Sequence, residues 1–560
     1  MAHAYLTKVP VPAITPFIEA YSKPGGVIVD PFAGSGMTGV AAAMLGRSAK
    51  LFDISVLGRH IGRNYVNLVD PGQLNKYAHE VVESSRRDLH DLYRVTCSRC
   101  HSSAELAKAV WSFIVECGSC RNPVNYYHSL EAADWVKPEM VCPYCASSVS
   151  SRNRRIDEEQ VLDYVTCSCS PTQIEQAPQN PPSIDLEQIN FPRVEITPDR
   201  QMYKASALGK SGMTSISAFY SPRNLAVLTM LHRCIMQVED QKIRSKLLFA
   251  FTACLTRASK RYQWSKARPL NAANANYYVA SVFYEWNVYE LFLRKVSAVI
   301  KSDDWILAAR RVNAGVEEVD CPQVSYDTSS AEKVPLPDGS VDFVFTDPPF
   351  GSNLFYADMA LFQEAWLEGF TEVQLEAVVD RRGTKGARTA DRYEKILSRA
   401  LAECRRILKP GGKVSMVFGN SSGEVWALVQ RAIMSAGLRI VPDALVVLNK
   451  GQRSVKGLAS GFEHVATLDL IITMERDTGS ADVASLRHVD AELVGSRIRK
   501  IAEERPDTPS HLYLELLRTG IREGWHLEEI DLSVVTTTLL EDGWTIEPKS
   551  GRLERRDRDC

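Results

Sequence analysis

The sequence lacks several patterns, and each absence argues against a class of protein. No uninterrupted apolar run approaches the roughly 20 residues that a membrane-spanning helix needs, so no membrane segment is predicted. The N-terminus, MAHAYLTKVPVPAITPF, has no basic-then-apolar secretory pattern, which favours a cytoplasmic protein. The net charge is only −2, so the chain as a whole lacks the strong excess of one sign that is typical of many nucleic-acid binders.

Positive charge is nevertheless concentrated in one part of the chain. Residues 201–311 contain 17 Lys and Arg against 6 Asp and Glu. Within them, RASKRYQWSKAR (257–268) interleaves basic and aromatic residues, the mixture expected where phosphates and unstacked bases are held. A second basic stretch, RRGTKGAR, occupies 381–388. The alternative for both is a solvated surface. The predicted nucleic-acid contacts are Arg257, Lys260, Arg261, Tyr262, Trp264, Lys266, Arg268, Arg381, Arg382 and Lys385.

Cysteine is abundant and regularly spaced. Eight of the 13 cysteines lie between positions 97 and 169, as three CxxC pairs and one CxC pair separated by 16, 21 and 21 residues. Such pairs place two thiolates at the right separation to bind one tetrahedral zinc ion, whereas disulfides are rare in a reducing compartment. Two structural Zn²⁺ sites are therefore predicted, with sequential or crossed pairing. The alternatives are redox cysteines, or one zinc site with spare thiols. The predicted ligands are Cys97, Cys100, Cys117, Cys120, Cys142, Cys145, Cys167 and Cys169.

The segment from 26 to 55 predicts the opening of a parallel α/β sheet. GVIVD (26–30) is typical of a buried strand, a glycine turn and a small-residue helix follow, and SAKLFDIS (48–55) predicts a second strand. The turn lacks both the third glycine of the dinucleotide fingerprint and a Gly-Lys-Ser/Thr motif, so neither NAD nor a P-loop nucleotide is favoured. Asp53, at the tip of the second strand, is placed to bind the hydroxyls of a ribose. A nucleoside-containing cofactor is therefore predicted.

The same pattern resumes after residue 320. QVSY (323–326) and SVDFVFTDPPF (340–350) predict strands, LKPGGKVSMVFGN (408–420) predicts a helix end, a glycine turn and a strand, and ALVVLNK with HVATLDLIITM predicts an antiparallel pair. The intervening chain predicts a cysteine-rich segment, a linker and long helical stretches, and the residues beyond 480 predict amphipathic helices. The predicted class is α/β, a doubly wound sheet split by a large insertion. Its parts are 1–70, 90–175, 195–315, 320–475 and 480–560.

Two motifs resemble those of one enzyme family. DPFAGSGMTG (30–39) and DPPF (347–350) resemble the paired motifs of the S-adenosylmethionine-dependent DNA amino-methyltransferases. YLTKVPVPAITPFI (5–18) is similar to the family segment that closes over the methionine end of the cofactor. The resemblance covers roughly 1–70 and 320–475 and implies a Rossmann-like methyltransferase fold. It also implies cofactor contacts from Thr7, Lys8, Asp30, Phe32, Gly34, Gly36, Asp53 and Asp327.

The resemblance further implies catalytic roles for Asp347, Pro348, Pro349 and Phe350. The exocyclic amine of a base is a poor nucleophile because its lone pair is delocalised into the ring. The Asp347 carboxylate and the Pro348 carbonyl would each accept one N–H and direct that lone pair toward the methyl donor. Phe350 would stack on the base, which must be flipped out of the duplex. The leading aspartate favours adenine N6 over cytosine N4.

The expected partner is double-stranded DNA, and the sequence leaves a restriction or phage-defence partner open. Two alternative functions also stay open. RNA base N-methyltransferases use DPP-aromatic turns as well, so RNA is a second candidate substrate. A nucleic-acid-binding regulator with an inactive methyltransferase domain is the third interpretation, although the intact DPP turn and glycine loop argue against it.

Overall fold

The chain forms two compact units. The cysteine unit comprises residues 1–4, 67–305 and 358–370, and the parallel-sheet unit comprises 5–66, 306–357 and 371–560. Among the described residues, every helix is too short or too polar to span a bilayer. The computed structural model describes residues 2–5, 8–179, 184–266, 277–314, 323–351, 355–379, 389–449, 468–479, 486–547 and 550–555.

Helices and strands alternate in residues 11–66 and are interspersed in residues 324–476, and strands dominate the region of the clustered cysteines. The strands are β1 (Val27–Asp30), β2 (Ser48–Asp53), β3 (Arg94–Thr96), β4 (Ser103–Glu116), β5 (Pro123–Asn125), β6 (Arg155–Thr166), β7 (Ile174–Gln176), β8 (Val282–Trp286), β9 (Val324–Thr328), β10 (Val341–Thr346), β11 (Leu408–Phe418), β12 (Leu438–Leu448), β13 (Asp469–Arg476), β14 (Trp544–Ile546) and β15 (Leu553–Arg555). The helices are α1 (Val11–Tyr21), α2 (Met37–Met44), α3 (Val56–Val66), α4 (Pro71–Asp88), α5 (Tyr126–Ala132), α6 (Gln201–Ala205), α7 (Leu208–Ser211), α8 (Pro222–Met236), α9 (Gln241–Ala258), α10 (Val288–Ala314), α11 (Tyr356–Glu364), α12 (Ala390–Ile407), α13 (Gly423–Ser435), α14 (Ala491–Glu504), α15 (Pro509–Arg522) and α16 (Leu532–Glu541).

A seven-stranded sheet organises the parallel-sheet unit, in the order β12-β13-β11-β10-β1-β2-β9. The five strands from β11 to β9 run parallel, and β13 is antiparallel to both β11 and β12. Central β1 pairs with β10 at Ile28↔Phe343 and with β2 at Ile28↔Ala49. Because β1 and β10 are parallel neighbours, the loops that follow their carboxyl ends emerge at the same edge of the sheet, where open α/β sheets bind ligands.

Most of the strands predicted for this unit are confirmed. The segments at 26–30, 48–55 and 323–326 correspond to β1, β2 and β9, and the predicted antiparallel pair corresponds to β12 and β13. The glycine turn predicted at Lys409–Gly412 is instead part of β11. The ladder between β10 and β11 shifts register between Val341 and Phe343, and Gly411 has φ +79°, so the glycines form an irregularity inside the strand.

The C-terminal region shares a core with the sheet. As predicted, it is mainly helical, with α14, α15 and α16 followed by the short hairpin β14–β15. Trp525, Tyr513 and Trp544 belong to the same buried cluster as Met416 and Trp426 of the sheet region. The side-chain amide of Gln430 also donates to the carbonyl of Trp525 at 2.9 Å. This continuity explains why the region lies in the parallel-sheet unit.

The cysteine unit contains a second sheet built around the long strand β4. Its order is β3-β4-β6-β7, and β5 and β8 also pair with β4. The part 195–315, where long helical stretches were predicted, also contains a strand that was not predicted. This is β8, whose five residues are all buried and pair with β4 from Ser112↔Val282 to Lys108↔Trp286. The side chains of Ser221 and Asp240 cap the N-termini of α8 and α9, because they accept hydrogen bonds from first-turn amides.

Candidate active site

The loops at the carboxyl edge of the seven-stranded sheet line one cleft. Its empty volume is about 960 Å³, including the mouth that opens to solvent, within the range of small-ligand sites. Residues 30–35 after β1, Asp53 at the tip of β2, and Asp347 with Pro349 after β10 all line it. The structure therefore brings together the two motifs that are more than 300 residues apart in the sequence.

The glycine loop is held against the tip of β2. Gly34 has φ +48°, and its N–H donates to Asp53 Oδ2 at 2.8 Å. The other oxygen of Asp53 accepts from the Ser55 N–H at 2.9 Å. A Cβ on Gly34 would lie 3.3 Å from Cε1 of Tyr5, so the position favours glycine both for its backbone conformation and for space. Burial raises the pKa of Asp53, while the amide donors oppose that change.

Gly36 has a packing role in this structure. It precedes α2 with φ +76°, and a Cβ at this position would lie 2.6 Å from the Cα of Gly62 in α3. The cleft lining includes Gly34 and Ser35 but not Gly36. Gly36 was predicted to contact the cofactor, whereas the structure places it where α2 and α3 approach each other closely.

Asp30 is a buried carboxyl group of the cleft. It is 3% exposed and accepts hydrogen bonds from Thr38 Oγ1 at 2.6 Å and from the Phe32 N–H at 3.1 Å. Burial raises the pKa of Asp30 to about 7, the hydrogen bonds oppose this rise, and the nearby charge of Asp347 adds to it. Asp30 and Asp347 are thus electrostatically coupled across the cleft.

Asp30 should make the stability of the protein depend on pH. Its pKa is raised from the ordinary 3.8 to about 7 by folding, so between these values the folded state binds more protons than the unfolded state and stability falls as pH rises. Asp30→Asn removes this titration. We expect the unfolding free energy of the variant, relative to wild type, to rise by up to about 1.4 kcal/mol per pH unit between pH 5 and pH 7. Denaturant titrations of both proteins measure it, and a pH-independent difference would contradict the assignment.

The DPPF turn is fixed from two sides. The hydroxyl of Tyr393 donates to the Pro349 carbonyl at 2.6 Å, and the side-chain amide of Asn420 donates to the Phe350 carbonyl at 3.0 Å. Tyr393 belongs to the buried face of α12, whose residues follow the three- and four-residue spacing of an amphipathic helix. The Asp347 side chain is partly exposed and lines the cleft. The turn therefore presents a carboxylate on a backbone that neighbouring side chains hold in place.

The cleft is lined by aromatic rings other than that of Phe350, the ring predicted to stack on the base. The Phe350 ring packs against Phe418, with centroids 5.2 Å apart, and is partly buried against the core. Tyr5 and Tyr356 both line the cleft and stack at 6.4 Å with an interplanar angle of 26°. The sequence analysis did not single out this pair. Tyr5 begins the quoted segment 5–18, which was expected to close over the cofactor, whereas Tyr356 belongs to no quoted motif. The predicted stacking role of Phe350 stays a prediction.

Of the remaining predicted cofactor residues, two line the cleft, one lies elsewhere and one is outside the described residues. Lys8 and Phe32 line the cleft, and Lys8 Nζ also donates to the Tyr65 hydroxyl at 3.1 Å. Asp327 pairs with Arg63 at 3.1 Å, its side chain is 57% exposed, and the cleft lining does not include it. Ser330 and Ala331, just after β9, line the cleft instead. Thr7 lies outside the described residues.

The eight clustered cysteines form two groups of four. Cys97, Cys100, Cys167 and Cys169 form one group, and Cys117, Cys120, Cys142 and Cys145 form the other. Sγ–Sγ distances across the pairs are 3.5–3.7 Å in the first group and 3.6 Å in the second. A tetrahedron with Zn–S bonds of 2.3 Å has edges of about 3.8 Å, so both donor sets fit a zinc ion.

The strand ladder determines which cysteines meet. The first group joins the segment before β4 to the segment after β6, and the second joins the segment after β4 to the segment before β6. Strands β4 and β6 are antiparallel, with Glu105↔Thr166 at one end and Val115↔Arg155 at the other. The first and last cysteine pairs of the sequence therefore meet at one end, and the two middle pairs meet at the other. The N–H groups of Cys100 and Arg99 lower the pKa of Cys97, whereas the neighbouring thiols of Cys167 and Cys100 raise the pKa of Cys169.

Seven residues of the basic aromatic stretch were predicted to contact nucleic acid. The structure corrects this prediction for four of them, because their side chains are interior. Lys260 pairs with Glu158 at 2.7 Å, and the Arg261 guanidinium lies 5.2 Å from the ring centroids of Tyr277 and Phe362. Lys260, Tyr262 and Trp264 are each 8% exposed, and Arg261 is 5% exposed. The stretch runs beside β8, where the Trp264 N–H donates to the Val282 carbonyl, so its side chains pack inside the unit.

The other residues of that prediction divide into two groups. Arg257 is half-buried over the ring of Trp286, and Lys266 is exposed over the ring of Trp135. Arg268, Arg381, Arg382 and Lys385 lie outside the described residues.

Comparison with known proteins agrees with the geometry of the cleft. Residues 2–69 match a family model described as DNA methylase. The matched range includes Lys8, Asp30, Gly34 and Asp53, all of which line the cleft. No curated protein matches the chain. The resemblance found in the sequence is thereby confirmed: the match supports a DNA N6-adenine or N4-cytosine methylase, and the two cysteine clusters could bind zinc.

Proposed function

We propose that this chain is a site-specific DNA methyltransferase that uses S-adenosylmethionine to methylate the exocyclic amine of a flipped base, adenine N6 in preference to cytosine N4. The observation that carries the proposal is that the glycine loop of the DNA methylase match and the Asp347 turn line the same cleft. The parallel strand order supports a Rossmann-like methyltransferase sheet, split by the chain that forms the cysteine unit.

The residues of the cleft fit a nucleoside cofactor. Asp53 offers a carboxylate that two amides hold at a strand tip, where a ribose would be bound. Asp30, Phe32 and Gly34 would line the methionine side, with Lys8 toward its carboxylate. The charge of Asp347 also contributes to the raised pKa of Asp30, which supports a donor site adjacent to the reacting base. When bound, S-adenosylmethionine would supply an electrophilic methyl group.

Asp347 would activate the target amine. Its carboxylate would accept one N–H of the base, and the Pro348 carbonyl would accept the second, so that the nitrogen lone pair localises and points toward the donor side of the cleft. The hydrogen bonds from Tyr393 and Asn420 to the neighbouring carbonyls support this role, because a preorganised acceptor does not reorganise during the reaction.

A base inside a duplex cannot reach this cleft and would have to be extruded. Phe350 remains the stacking ring implied by the DPPF motif, and Tyr5 with Tyr356 supplies a further aromatic wall on the cleft itself. The predicted zinc ions would be structural, because each cluster offers four thiolates and no carboxylate or histidine. The cytoplasmic location and a restriction or phage-defence partner stay predictions from the sequence.

Methyl transfer to defined nucleic acids tests the proposal. S-adenosylmethionine carrying a labelled methyl group is incubated with the full chain and with duplex DNA, tRNA or rRNA, and the products are digested to nucleosides. We expect label in duplex DNA alone, as N6-methyladenine. Label in N4-methylcytosine would change the target base, and label confined to RNA would replace DNA as the substrate. Absence of label from every substrate would favour the inactive regulator.

A further inference from the structure

Three cations surround one indole ring in the cysteine unit. Lys108 Nζ lies 5.1 Å, Arg257 Cζ 4.4 Å and Arg294 Cζ 5.5 Å from the ring centroid of Trp286. The strand register places Lys108 directly between two aromatic residues, because it pairs with Trp286 on β8 and with Tyr164 on β6. Cross-strand partners share a face of the sheet, so these side chains form one row. We call Lys108, Arg257 and Arg294 the Trp286 cation cluster.

The cluster differs from three fully buried cations of the unit. Lys246, Lys260 and Arg223 each form an ion pair, with Asp303, Glu158 and Glu285 respectively. Within the described part of the chain, no ion pair joins Lys108, Arg257 or Arg294 to a carboxylate; Arg294 Nε donates to the backbone carbonyl of Glu290. Burial lowers the pKa of Lys108, and the charges of Arg257 and Arg294 lower it further against the opposing charges of Glu175 and Glu290. The three cations therefore repel one another, and the charges of Glu175 and Glu290 oppose that repulsion.

Two polar N–H groups of the cluster also lack partners. Trp286 is 9% exposed, and its Nε1 has no hydrogen-bond partner among the described residues. The same is true of the buried Nε of Arg257. Buried donors without partners are costly and rare in proteins, and they are satisfied by an acceptor from a ligand or by water. Arg294 is exposed and Lys108 is partly exposed, so the cluster is open to an approaching ligand.

We propose that the Trp286 cation cluster binds a backbone phosphate of the DNA substrate. A phosphate offers several acceptor oxygens and negative charge, which matches three cations and the two N–H donors, and arginine is well suited to bind it. This inference rests on the proposed function for its choice of DNA. The cluster retains Arg257 from the predicted contacts and adds Lys108 and Arg294, which the sequence did not single out.

A matched pair of variants on α10 tests the site. Arg294→Gln removes a cluster charge, and Lys301→Gln removes an equally exposed positive charge seven residues away on the same helix. Binding of the full chain to a labelled duplex is measured by fluorescence anisotropy over a series of salt concentrations. For Arg294→Gln we expect about five- to tenfold weaker binding and a salt slope smaller by about one, the effect of losing one phosphate contact. For Lys301→Gln we expect less than about a twofold change.

Three controls test whether the Trp286 cation cluster itself, and not exposed positive charge in general, binds the DNA phosphate. Arg294→Lys should bind more tightly than Arg294→Gln, because it keeps the charge. Inorganic phosphate at matched ionic strength should not displace the duplex, and displacement would indicate a site for free phosphate. Equal effects of Arg294→Gln and Lys301→Gln would overturn the proposal. Since binding is measured without methyl transfer, a chain that fails to methylate DNA but shows the Arg294 effect would contradict the proposed function and leave the phosphate site standing.

Discussion

Asp347→Ala should abolish methyl transfer, with a loss of about a thousandfold or more, while binding of S-adenosylmethionine changes little. The loss follows because the alanine accepts no N–H, so the lone pair of the target amine stays delocalised into the base. Removing one preorganised polar group from a transition state typically costs about 10²–10³ in rate, and this carboxylate supplies half of the proposed activation. Binding of the cofactor should persist because Asp30, Gly34 and Asp53 are unchanged. Methyl transfer and calorimetric binding are measured on the same preparation.

Two further variants sharpen this test. Asp443→Ala removes an exposed carboxylate from β12 in the same unit and should leave the rate unchanged. Asp347→Asn keeps one acceptor oxygen and loses the charge, so we expect a rate between those of wild type and Asp347→Ala. An Asp347→Ala protein that still transfers methyl groups at a comparable rate would refute the catalytic role.

Cys100→Ser should reduce the zinc content from two ions per chain to one and destabilise the cysteine unit. The first cysteine group ties the segment before β4 to the segment after β6, so losing its metal frees that end of the ladder. Structural zinc contributes about 10–16 kcal/mol of apparent binding free energy in small domains. We therefore expect a thermal midpoint lower by about 10 °C or more. Metal analysis by mass spectrometry and thermal unfolding measure the two effects.

Cys404→Ser provides the matched control. Cys404 is a buried cysteine of α12 in the parallel-sheet unit and belongs to neither group of four. It should keep two zinc ions per chain, whatever its effect on stability. A Cys100→Ser protein that also retains two ions, or a wild-type protein that binds none, would contradict structural zinc at this position.

The sheet and its cleft could be predicted because their signals are local. Glycine with positive φ at Gly34, the strand-tip carboxylate of Asp53 and the proline-stiffened turn after β10 each depend on a few neighbouring residues. Their convergence follows from the parallel order of β10, β1 and β2, which brings their carboxyl ends to one edge. Tyr356 could not be found in this way, because no quoted motif contains it. Tyr5 could have been singled out, because it begins the segment 5–18 that resembles the family segment over the cofactor.

The basic aromatic stretch was misjudged for the opposite reason. From the sequence alone, Lys260 and Arg261 look like surface residues. In the fold, Glu158 forms an ion pair with Lys260, and the ring of Tyr277 lies against the Arg261 guanidinium. Local composition does not reveal such pairing. The cysteine spacing likewise predicted two clusters without their connectivity, which depends on the antiparallel ladder of β4 and β6.

Hydrogen exchange with S-adenosylhomocysteine tests most directly whether the glycine loop and the DPPF turn share one ligand cleft. We expect the ligand to slow amide exchange both in residues 31–38 and in residues 345–351, because Gly34 and Asp347 line the same cleft. Exposed amides on β12, such as that of Asp443, should be unaffected. Protection of residues 31–38 alone, with unchanged exchange around Asp347, would contradict the central claim.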